Sequence, residues 1–321
     1  MARLKWGRVF AAMLVLSGTI FAVDGLRRDL FKSNTNSITV VGDFVNGNSV
    51  EKDNSKQIDG QIHLGNESQS TTVFEGVQNL GFSELSVSPS LLSSGKLVII
   101  NDEYPAGEST PSGMINLLKY KNDYYNVLNE SVKLNEEAAE ALNHMMADYH
   151  EATGLTDFIV YGTNDTFTGD GSCCPEYFPE SITGNTIDLA LSAYGGIIAF
   201  DGLDEEGWIV KNCDKYGYIV RYPEGKESQT GHKFCPWHLR YVGDVHAAIM
   251  SEKDYSLEEY INFLKNYSYD NVYSYVCNGI EYEIYTSSAI GDAASARVPI
   301  SGNYSVSGDN IGTYIITTVK N

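Results

Sequence analysis

The stretch that decides the fold runs from Gly207 to Gly243 and reads GWIVKNCDKYGYIVRYPEGKESQTGHKFCPWHLRYVG. It begins inside a predicted helix over about residues 204–215, which Gly217 ends because glycine readily takes the left-handed conformation. The apolar run 218–222 follows and predicts a strand, and after a polar loop a second strand contains His238. Helix and strand therefore alternate over short connections, which favours an α+β fold.

Working outward, the flanking segments carry the same mixture of helix and strand signals. Apolar residues recur at helical spacing before Gly154, with Asn135 as the predicted N-cap. Ser256-Leu257-Glu258-Glu259 forms a capping box, and Asn278-Gly279 is a strong hairpin signal. The predicted helices cover about residues 134–154 and 256–264, and the predicted strands cover about 97–100, 158–161, 272–277, 280–285 and 314–319.

Composition and charge exclude some classes of function. The chain has 321 residues and a formal net charge of −20, with 22 Lys plus Arg against 42 Asp plus Glu. Such a field repels phosphate backbones, so a nucleic-acid partner is not expected. Five cysteines in a chain of this length do not make a disulfide scaffold. At 42% hydrophobic residues, the chain is able to bury a sizeable core.

The N-terminus has the pattern of a secretory signal. Arg3, Lys5 and Arg8 precede an apolar run over residues 9–23, and a basic segment followed by such a run is typical of export. Residues 1–24 are predicted to be either a cleaved signal peptide or a signal-anchor, and this choice stays open. Either alternative places the bulk of the chain outside the cytoplasm. Residues 25–95 are rich in Asn, Ser, Asp and Gly, and are predicted to be a polar, poorly ordered linker.

The order of motifs in the deciding stretch resembles the VanY-type D-Ala-D-Ala carboxypeptidases, zinc peptidases of the LAS group that trim the stem peptide of peptidoglycan. The resemblance rests on the YGY strand, the RYPEGKE loop, the PWHLRYVG strand and Thr183-Gly184 ahead of Asp188. It covers roughly residues 96–319. It implies a LAS-type metallopeptidase fold, with a small mixed or antiparallel sheet flanked by helices. Residues 96–268 would form the VanY-like domain, and residues 269–321 a C-terminal β-hairpin extension.

The resemblance also assigns a role to individual positions. Asp188 and His238 match two of the zinc ligands, but Ser181 stands at the position of the missing ligand His. Cys235 stands at the position of the catalytic Glu, and Asp165 falls at or near the position of the Arg that stabilises the oxyanion. Without a Glu at this position the acid–base step loses about 10²–10⁴ in rate. We therefore expect zinc binding to be weak or absent, and no residue is assigned a catalytic role.

The leading hypothesis is a pseudoenzyme of the bacterial cell wall that binds stem peptides or a cell-envelope protein, with Trp237 and Thr183 in the substrate cleft. A first alternative is an active, divergent peptidase in which Cys235 contributes a modified metal or thiol site. A second alternative is a structural adaptor at the cell surface whose cleft is filled. Asp188 and His238 would then be either a residual, weak metal or ligand site or two residues retained for their hydrogen bonds. The protein is expected to be secreted or membrane-anchored, and associated with the cell wall. Contact with the membrane is expected only through the N-terminal segment.

Overall fold

The computed structural model of the protein describes residues 82–87, 89–107, 111, 113–161, 178–288, 295–299 and 303–320. The predicted signal segment, Asp165 and most of the predicted linker lie outside these residues. The described residues belong to one compact unit. In this part of the chain, no helix is both long enough and apolar enough to cross a membrane.

Strands and helices are interleaved along the described chain, which confirms the α+β class. The strands are β1 (Phe82–Ser86), β2 (Ile115–Asn116), β3 (Asn126–Val127), β4 (Lys133–Leu134), β5 (Phe158–Tyr161), β6 (Thr186–Ala193), β7 (Gly196–Ala199), β8 (Tyr218–Val220), β9 (His238–Tyr241), β10 (Tyr273–Cys277), β11 (Ile280–Ser288), β12 (Ser295–Pro299), β13 (Tyr304–Gly308) and β14 (Thr313–Val319). The helices are α1 (Leu117–Tyr120), α2 (Glu136–Thr153), α3 (Trp208–Asn212), α4 (Glu227–Thr230), α5 (Asp244–Lys253) and α6 (Leu257–Leu264). Short 3₁₀ turns cover Pro89–Ser93, Pro179–Thr183 and Cys213–Tyr216.

A mixed central sheet positions the candidate site. Its order is β3-β5-β6-β9-β8, with β7 paired to the second half of β6. The pair β3 and β5 is parallel, and the other pairs are antiparallel. In the register of β6 and β9, Asp188 lies opposite His238 and Thr186 lies opposite Arg240. Because residues two apart on a strand share a face, these four side chains lie on one face of the sheet.

The long helix α2 packs against the central sheet, and its buried side chains share one hydrophobic core with those of the strands. It begins after Asn135 and ends at Gly154, whose φ of 77° is left-handed, as the sequence predicts. The side chain of Asn135 does not cap the helix; its amide donates to Thr183 O and to Asn185 Oδ1. The start of α2 is therefore tied to the loop between the 3₁₀ turn Pro179–Thr183 and β6.

Two predicted elements differ from the structure. The helix predicted over residues 204–215 begins only at Trp208, since Asp204 has a φ of 52° that no α-helix admits, and it continues as a 3₁₀ turn. The predicted strand 97–100 is not a strand, although its side chains are buried. Its backbone pairs instead with the turn between β13 and β14, where the amide of Ile99 donates to Asp309 O.

The C-terminal residues form a four-stranded antiparallel sheet in the order β10-β11-β14-β13. The predicted hairpin is confirmed, and both turn residues, Asn278 and Gly279, have positive φ. A second pair joins β1 to β12, so the predicted linker over residues 25–95 includes an ordered strand. The residues that pack this sheet on α5 and α6 come from both sides of the predicted boundary at 268/269: Leu97, Ile249, Leu257, Tyr260, Ile284 and Ile315.

Candidate functional site

The site is centred on His238, which β9 places opposite Asp188 of β6. The Nδ1 atom of His238 lies 2.6 Å from Asp188 Oδ1, and Nε2 lies 2.9 Å from Glu180 Oε1. Both ring nitrogens are thus engaged by carboxylates, one on each edge of the imidazole. His238 and Glu180 are 0% exposed, and Asp188 is 3% exposed. The interactions are therefore made away from solvent, where electrostatic effects are strong.

Glu180 reaches this position from the 3₁₀ turn Pro179–Thr183, which ends at Gly184 with a left-handed φ of 68°. Its Oε2 accepts from Nε of Arg221 at 2.9 Å and from Nη1 of Arg240 at 3.2 Å, while Oε1 also accepts from the Tyr222 hydroxyl at 3.2 Å. Including His238, four side chains hydrogen-bond to one carboxylate. Glu180 is fully buried, but both of its carboxylate oxygens have hydrogen-bond partners, as a buried polar group requires.

Two further contacts extend the network. Arg221 donates from both terminal nitrogens to Glu258 of α6, at 3.1 and 2.6 Å, in a two-pronged pair. Arg240 donates from Nη2 to the carbonyl of Lys96 at 3.2 Å. The network therefore joins the 3₁₀ turn, β6, β8, β9, α6 and the chain segment before residue 97.

The pKa values follow from these contacts. Burial by itself lowers the pKa of His238, but the charges and hydrogen bonds of Asp188 and Glu180 outweigh it and raise the pKa to about 9. Burial would raise the pKa of Glu180, yet Arg221, the His238 hydrogen bond and Arg240 lower it below its ordinary value. Near neutral pH the imidazole is consequently protonated and donates from both nitrogens. Three cations then face three carboxylates: His238, Arg221 and Arg240 against Glu180, Asp188 and Glu258.

Aromatic rings cover the imidazole. The ring centroid of Phe178 lies 4.1 Å from that of His238, and the Tyr222 ring stacks at 5.5 Å with an interplanar angle of 12°. His232 in turn packs against Tyr222, at a centroid distance of 4.3 Å. Phe178 and Tyr222 are themselves buried, so the rings belong to the same closed site.

Comparison with known proteins identifies the family. The model of the family described as D-alanyl-D-alanine carboxypeptidase (VanY) matches residues 180–244. The chain is 31% identical over 255 residues to a D-alanyl-D-alanine carboxypeptidase of Enterococcus faecium, covering 76% of this chain and 82% of that protein. This chain belongs to the D-alanyl-D-alanine carboxypeptidase family.

A further relative matches over a short segment, and a solved structure shares the fold. The bifunctional D-Ala-D-Ala dipeptidase and D-Ala-D-Ala carboxypeptidase VanXYC of Enterococcus gallinarum is 47% identical over 49 residues, which cover 15% of this chain and 26% of that protein. Among solved structures, the vancomycin resistance D,D-dipeptidase VanXYg, in complex with a D-Ala-D-Ala phosphinate analogue, superposes with a TM-score of 0.62 at 24% identity. That match covers 74% of this chain and 99% of VanXYg, and it confirms the predicted fold.

Within this family fold, the predicted site residues take different places. Asp188 and His238 come together, as the family pattern implies. The Oγ of Ser181 is buried and has no hydrogen-bond partner among the described residues. Cys235 is buried beside Phe178, with Sγ 3.3 Å from the carbonyl of Lys233.

The two predicted cleft residues are only partly accessible. The Thr183 hydroxyl accepts from the amide of Asn185, and the Thr183 side chain is buried. Trp237 is half-buried and packs against the cluster of Phe178, Tyr222 and Cys235. Of Trp237 and Thr183, Trp237 therefore has the side chain that is more accessible to solvent, next to the closed site.

The donors present do not fit the zinc ion that the family uses. Zinc needs three protein ligands converging on one point, whereas Asp188 and His238 supply two and the neutral Ser181 stands at the third position that the resemblance assigns. Among the described residues, no group of three or more His, Cys, Asp or Glu side chains is arranged to hold a metal ion.

The sequence patterns do not indicate Glu180, Arg221 and Arg240 as members of the site. Arg240 carries a usable signal, because it lies two residues after His238 on an apolar strand and must share its face. Arg221 likewise follows an apolar strand, and a buried guanidinium requires an acidic partner. Glu180 has no comparable pattern, since a 3₁₀ turn decides which way its side chain points.

Proposed function

We propose that this chain is a D-Ala-D-Ala carboxypeptidase-family protein that does not hydrolyse peptide, and that it acts at the bacterial cell wall by binding. One observation carries the proposal: of the three positions that the resemblance assigns to zinc ligands, Asp188 and His238 hold a ligand, but the third is the buried Ser181. The chemistry implied by the family depends on a metal-activated water, and the chain's own residues supply no substitute for it.

The substitutions at neighbouring family positions support the same proposal. Ser181 is a neutral, poor zinc ligand, and Cys235 offers no carboxylate to accept a proton from water. The alternative of a divergent thiol enzyme has less support, because the Cys235 thiol is buried and hydrogen-bonds to the carbonyl of Lys233 at 3.3 Å. A nucleophilic cysteine needs an adjacent base or a lowered pKa.

The ligand that we propose is the peptidoglycan stem peptide ending in D-Ala-D-Ala, with a cell-envelope protein as the other candidate. The relative from Enterococcus faecium is named as a D-alanyl-D-alanine carboxypeptidase, and the matched segment includes the loop over residues 221–231. The basic and apolar N-terminal segment supports export, as a secreted or anchored protein. We propose Trp237, which is half-buried and packs against the closed site, as the side chain that contacts such a peptide.

The test of hydrolysis uses the purified chain, equimolar zinc and a stem pentapeptide ending in D-Ala-D-Ala, with released D-Ala measured. We expect no release above the rate of a His238→Ala variant, because Ser181 and Cys235 replace the third zinc ligand and the acid–base Glu of the family pattern. Stoichiometric zinc together with chelator-sensitive release of D-Ala would defeat the proposal.

Binding is measured by calorimetry with the same peptide and with one ending in L-Ala-L-Ala. We expect the D-Ala-D-Ala peptide to bind more tightly, and Trp237→Leu to weaken binding by about tenfold if the ring contributes a buried aromatic contact. The matched control is Tyr194→Leu, which changes a fully exposed ring in the β6–β7 turn. Absence of peptide binding, with a folded protein, would instead favour the structural adaptor.

A further inference from the structure

Partly exposed aromatic rings gather at one place near the C-terminal sheet. They come from the loop before α6, the end of α6, the loop after it and strand β10, and they are Tyr255, Phe263, Tyr267, Tyr273 and Tyr275. The ring centroid of Phe263 lies 5.6 Å from that of Tyr255 and 5.2 Å from that of Tyr267. Tyr273 lies 5.1 Å from Phe263 and 6.3 Å from Tyr275. These five rings, called the aromatic surface below, are therefore continuous.

The rings of the aromatic surface are held in place by their neighbours. Phe263 stacks on the fully buried Tyr260, with centroids 6.4 Å apart and an interplanar angle of 21°. The ammonium group of Lys253 lies 5.3 Å from the centroid of Phe263, and the Tyr275 hydroxyl donates to Glu252 Oε2 at 2.9 Å. A ligand therefore does not have to order these side chains when it binds, which favours affinity.

The chemistry of the aromatic surface fits a carbohydrate. Four of its five rings are tyrosines, which combine a flat apolar face with a hydroxyl group. Exposed amides lie beside it, since Asn266 Nδ2 donates to the carbonyl of Phe263 at 2.9 Å and Asn271 Nδ2 to that of Asn266 at 3.4 Å. A sugar ring has the complementary arrangement, with apolar C–H faces that stack on aromatic rings and hydroxyl groups at its edge.

Net charge favours an uncharged ligand. The chain carries a formal charge of −20, which repels anionic lipid headgroups and anionic polymers. A chain of N-acetylated amino sugars carries no charge of its own and is not repelled. In peptidoglycan the stem peptide is attached to such a chain, so the ligand proposed above brings a glycan with it.

We propose that the aromatic surface binds the glycan chain of peptidoglycan, through residues that take no part in the network at His238. The inference rests on the proposed function, in that the protein acts by binding at the cell wall. It goes further in assigning a second binding surface, with a carbohydrate rather than a peptide as its ligand.

The experiment measures binding of a soluble tetramer of β-1,4-linked N-acetylglucosamine to the full chain by calorimetry. We expect the wild type to bind it, and Tyr255→Leu/Tyr275→Leu to weaken binding by about tenfold or more, because two flat rings are lost. Each of these two rings contacts one other ring of the aromatic surface, so its replacement disturbs the packing least. The matched control is Tyr124→Leu, a 37% exposed ring that also contacts one ring, that of His150, and it should bind like the wild type.

Thermal unfolding shows whether each variant is folded. If the double variant does not fold, the single variants Tyr255→Leu and Tyr275→Leu take its place, each with an expected loss of several-fold in affinity. Equal loss in Tyr124→Leu, or unchanged affinity in the folded variants of the aromatic surface, would overturn the inference. So would a wild type that does not bind the tetramer, whether or not it binds vesicles of phosphatidylglycerol, which would assign the surface to a membrane.

These results are separate from those that test the proposed function. The tetramer carries no peptide, and the stem pentapeptide carries no sugar. Binding of the pentapeptide without binding of the tetramer would overturn only the glycan surface, whereas release of D-Ala by the wild type would overturn only the proposed lack of hydrolysis.

Discussion

Two buried histidines in this protein are held in opposite charge states by their neighbours. His238 lies between carboxylates, which favour the protonated ring. His246 of α5 lies between hydroxyl groups, with Nδ1 2.7 Å from the Tyr260 hydroxyl and Nε2 3.1 Å from that of Thr317. Burial, and to a smaller extent the charge of Lys96, lowers the pKa of His246 to about 3. His246 is therefore neutral over the physiological range and bridges α5, α6 and β14.

This state of His246 predicts a loss of stability in acid. The pKa is about 3 in the folded protein and 6.5 ordinarily, so the unfolded chain binds more protons between these values. The contribution to stability is complete above pH 6.5 and is lost as the pH falls towards 3. At pH 5 the free energy of unfolding should be lower by about 2 kcal/mol than at pH 8 from this group alone.

Urea unfolding at a series of pH values measures this effect. His246→Gln should show a shallower dependence between pH 6.5 and 4, because Gln does not titrate. His144→Gln, on the exposed face of α2, is the matched control and should keep the wild-type profile. Equal slopes for the wild type and His246→Gln would contradict the prediction.

At the scale of elements, the turn between β13 and β14 connects the C-terminal sheet to the segment over residues 97–105. The buried Asp309 carboxylate accepts from the amides of Ile311, Gly312 and Thr313 at 2.7 to 2.9 Å, and from the Thr313 hydroxyl at 2.6 Å. The next side chain, Asn310, donates to the carbonyls of Ile99, Tyr104 and Pro105. The Asn310 side chain thus supplies hydrogen-bond donors to backbone carbonyls of residues 97–105. The apolar composition of residues 97–100 predicts a strand, but this segment pairs with the turn instead.

Removing the carboxylate should destabilise the turn markedly. Asp309→Ala leaves three backbone amides without an acceptor, and we expect it to lower the free energy of unfolding by about 2–4 kcal/mol. Asp270→Ala, which removes an exposed carboxylate, should lie within about 0.5 kcal/mol of the wild type. Denaturant unfolding of both variants measures the difference, and similar midpoints would show that the turn does not depend on Asp309.

At the scale of the whole molecule, the C-terminal sheet shares a core with the family domain. Ile284 of β11 and Ile315 of β14 are buried in one cluster with Leu257, Tyr260 and Leu97. Glu258, on the same helix as Leu257, also pairs with Arg221 in the site. The network at His238 and the C-terminal sheet are therefore packed against the same helix, α6.

The shared core predicts that residues 269–321 are required for folding. A chain ending at residue 268 would expose the apolar face of α6, and we expect it to lose cooperative thermal unfolding. Removing only residues 320–321, which contain an exposed lysine, should leave the unfolding transition within about 2 °C of the wild type. A cooperative transition in the shorter chain would show that the sheet is a separate unit.

The sequence by itself determined the features that depend on local order. Helical spacing and Gly154 set the extent of α2, Asn278-Gly279 set the hairpin, and the order of motifs around His238 identified the family. Each of these signals is complete within a short window, because backbone conformation and turn chemistry are decided by near neighbours. The pairing of Asp188 with His238 was also expected, since both positions match the family's motif.

Only the tertiary structure decided what surrounds His238. Glu180 is 58 residues from His238 and 41 residues from Arg221, and Glu258 is 37 residues from Arg221. No local pattern tells whether such side chains turn inward, because a buried charge is stable only when its partners arrive from other segments. The network of ion pairs around His238 is therefore a property of the packed chain, and the residues at positions 181 and 235 indicate only that the ligand His and the catalytic Glu implied by the resemblance are absent.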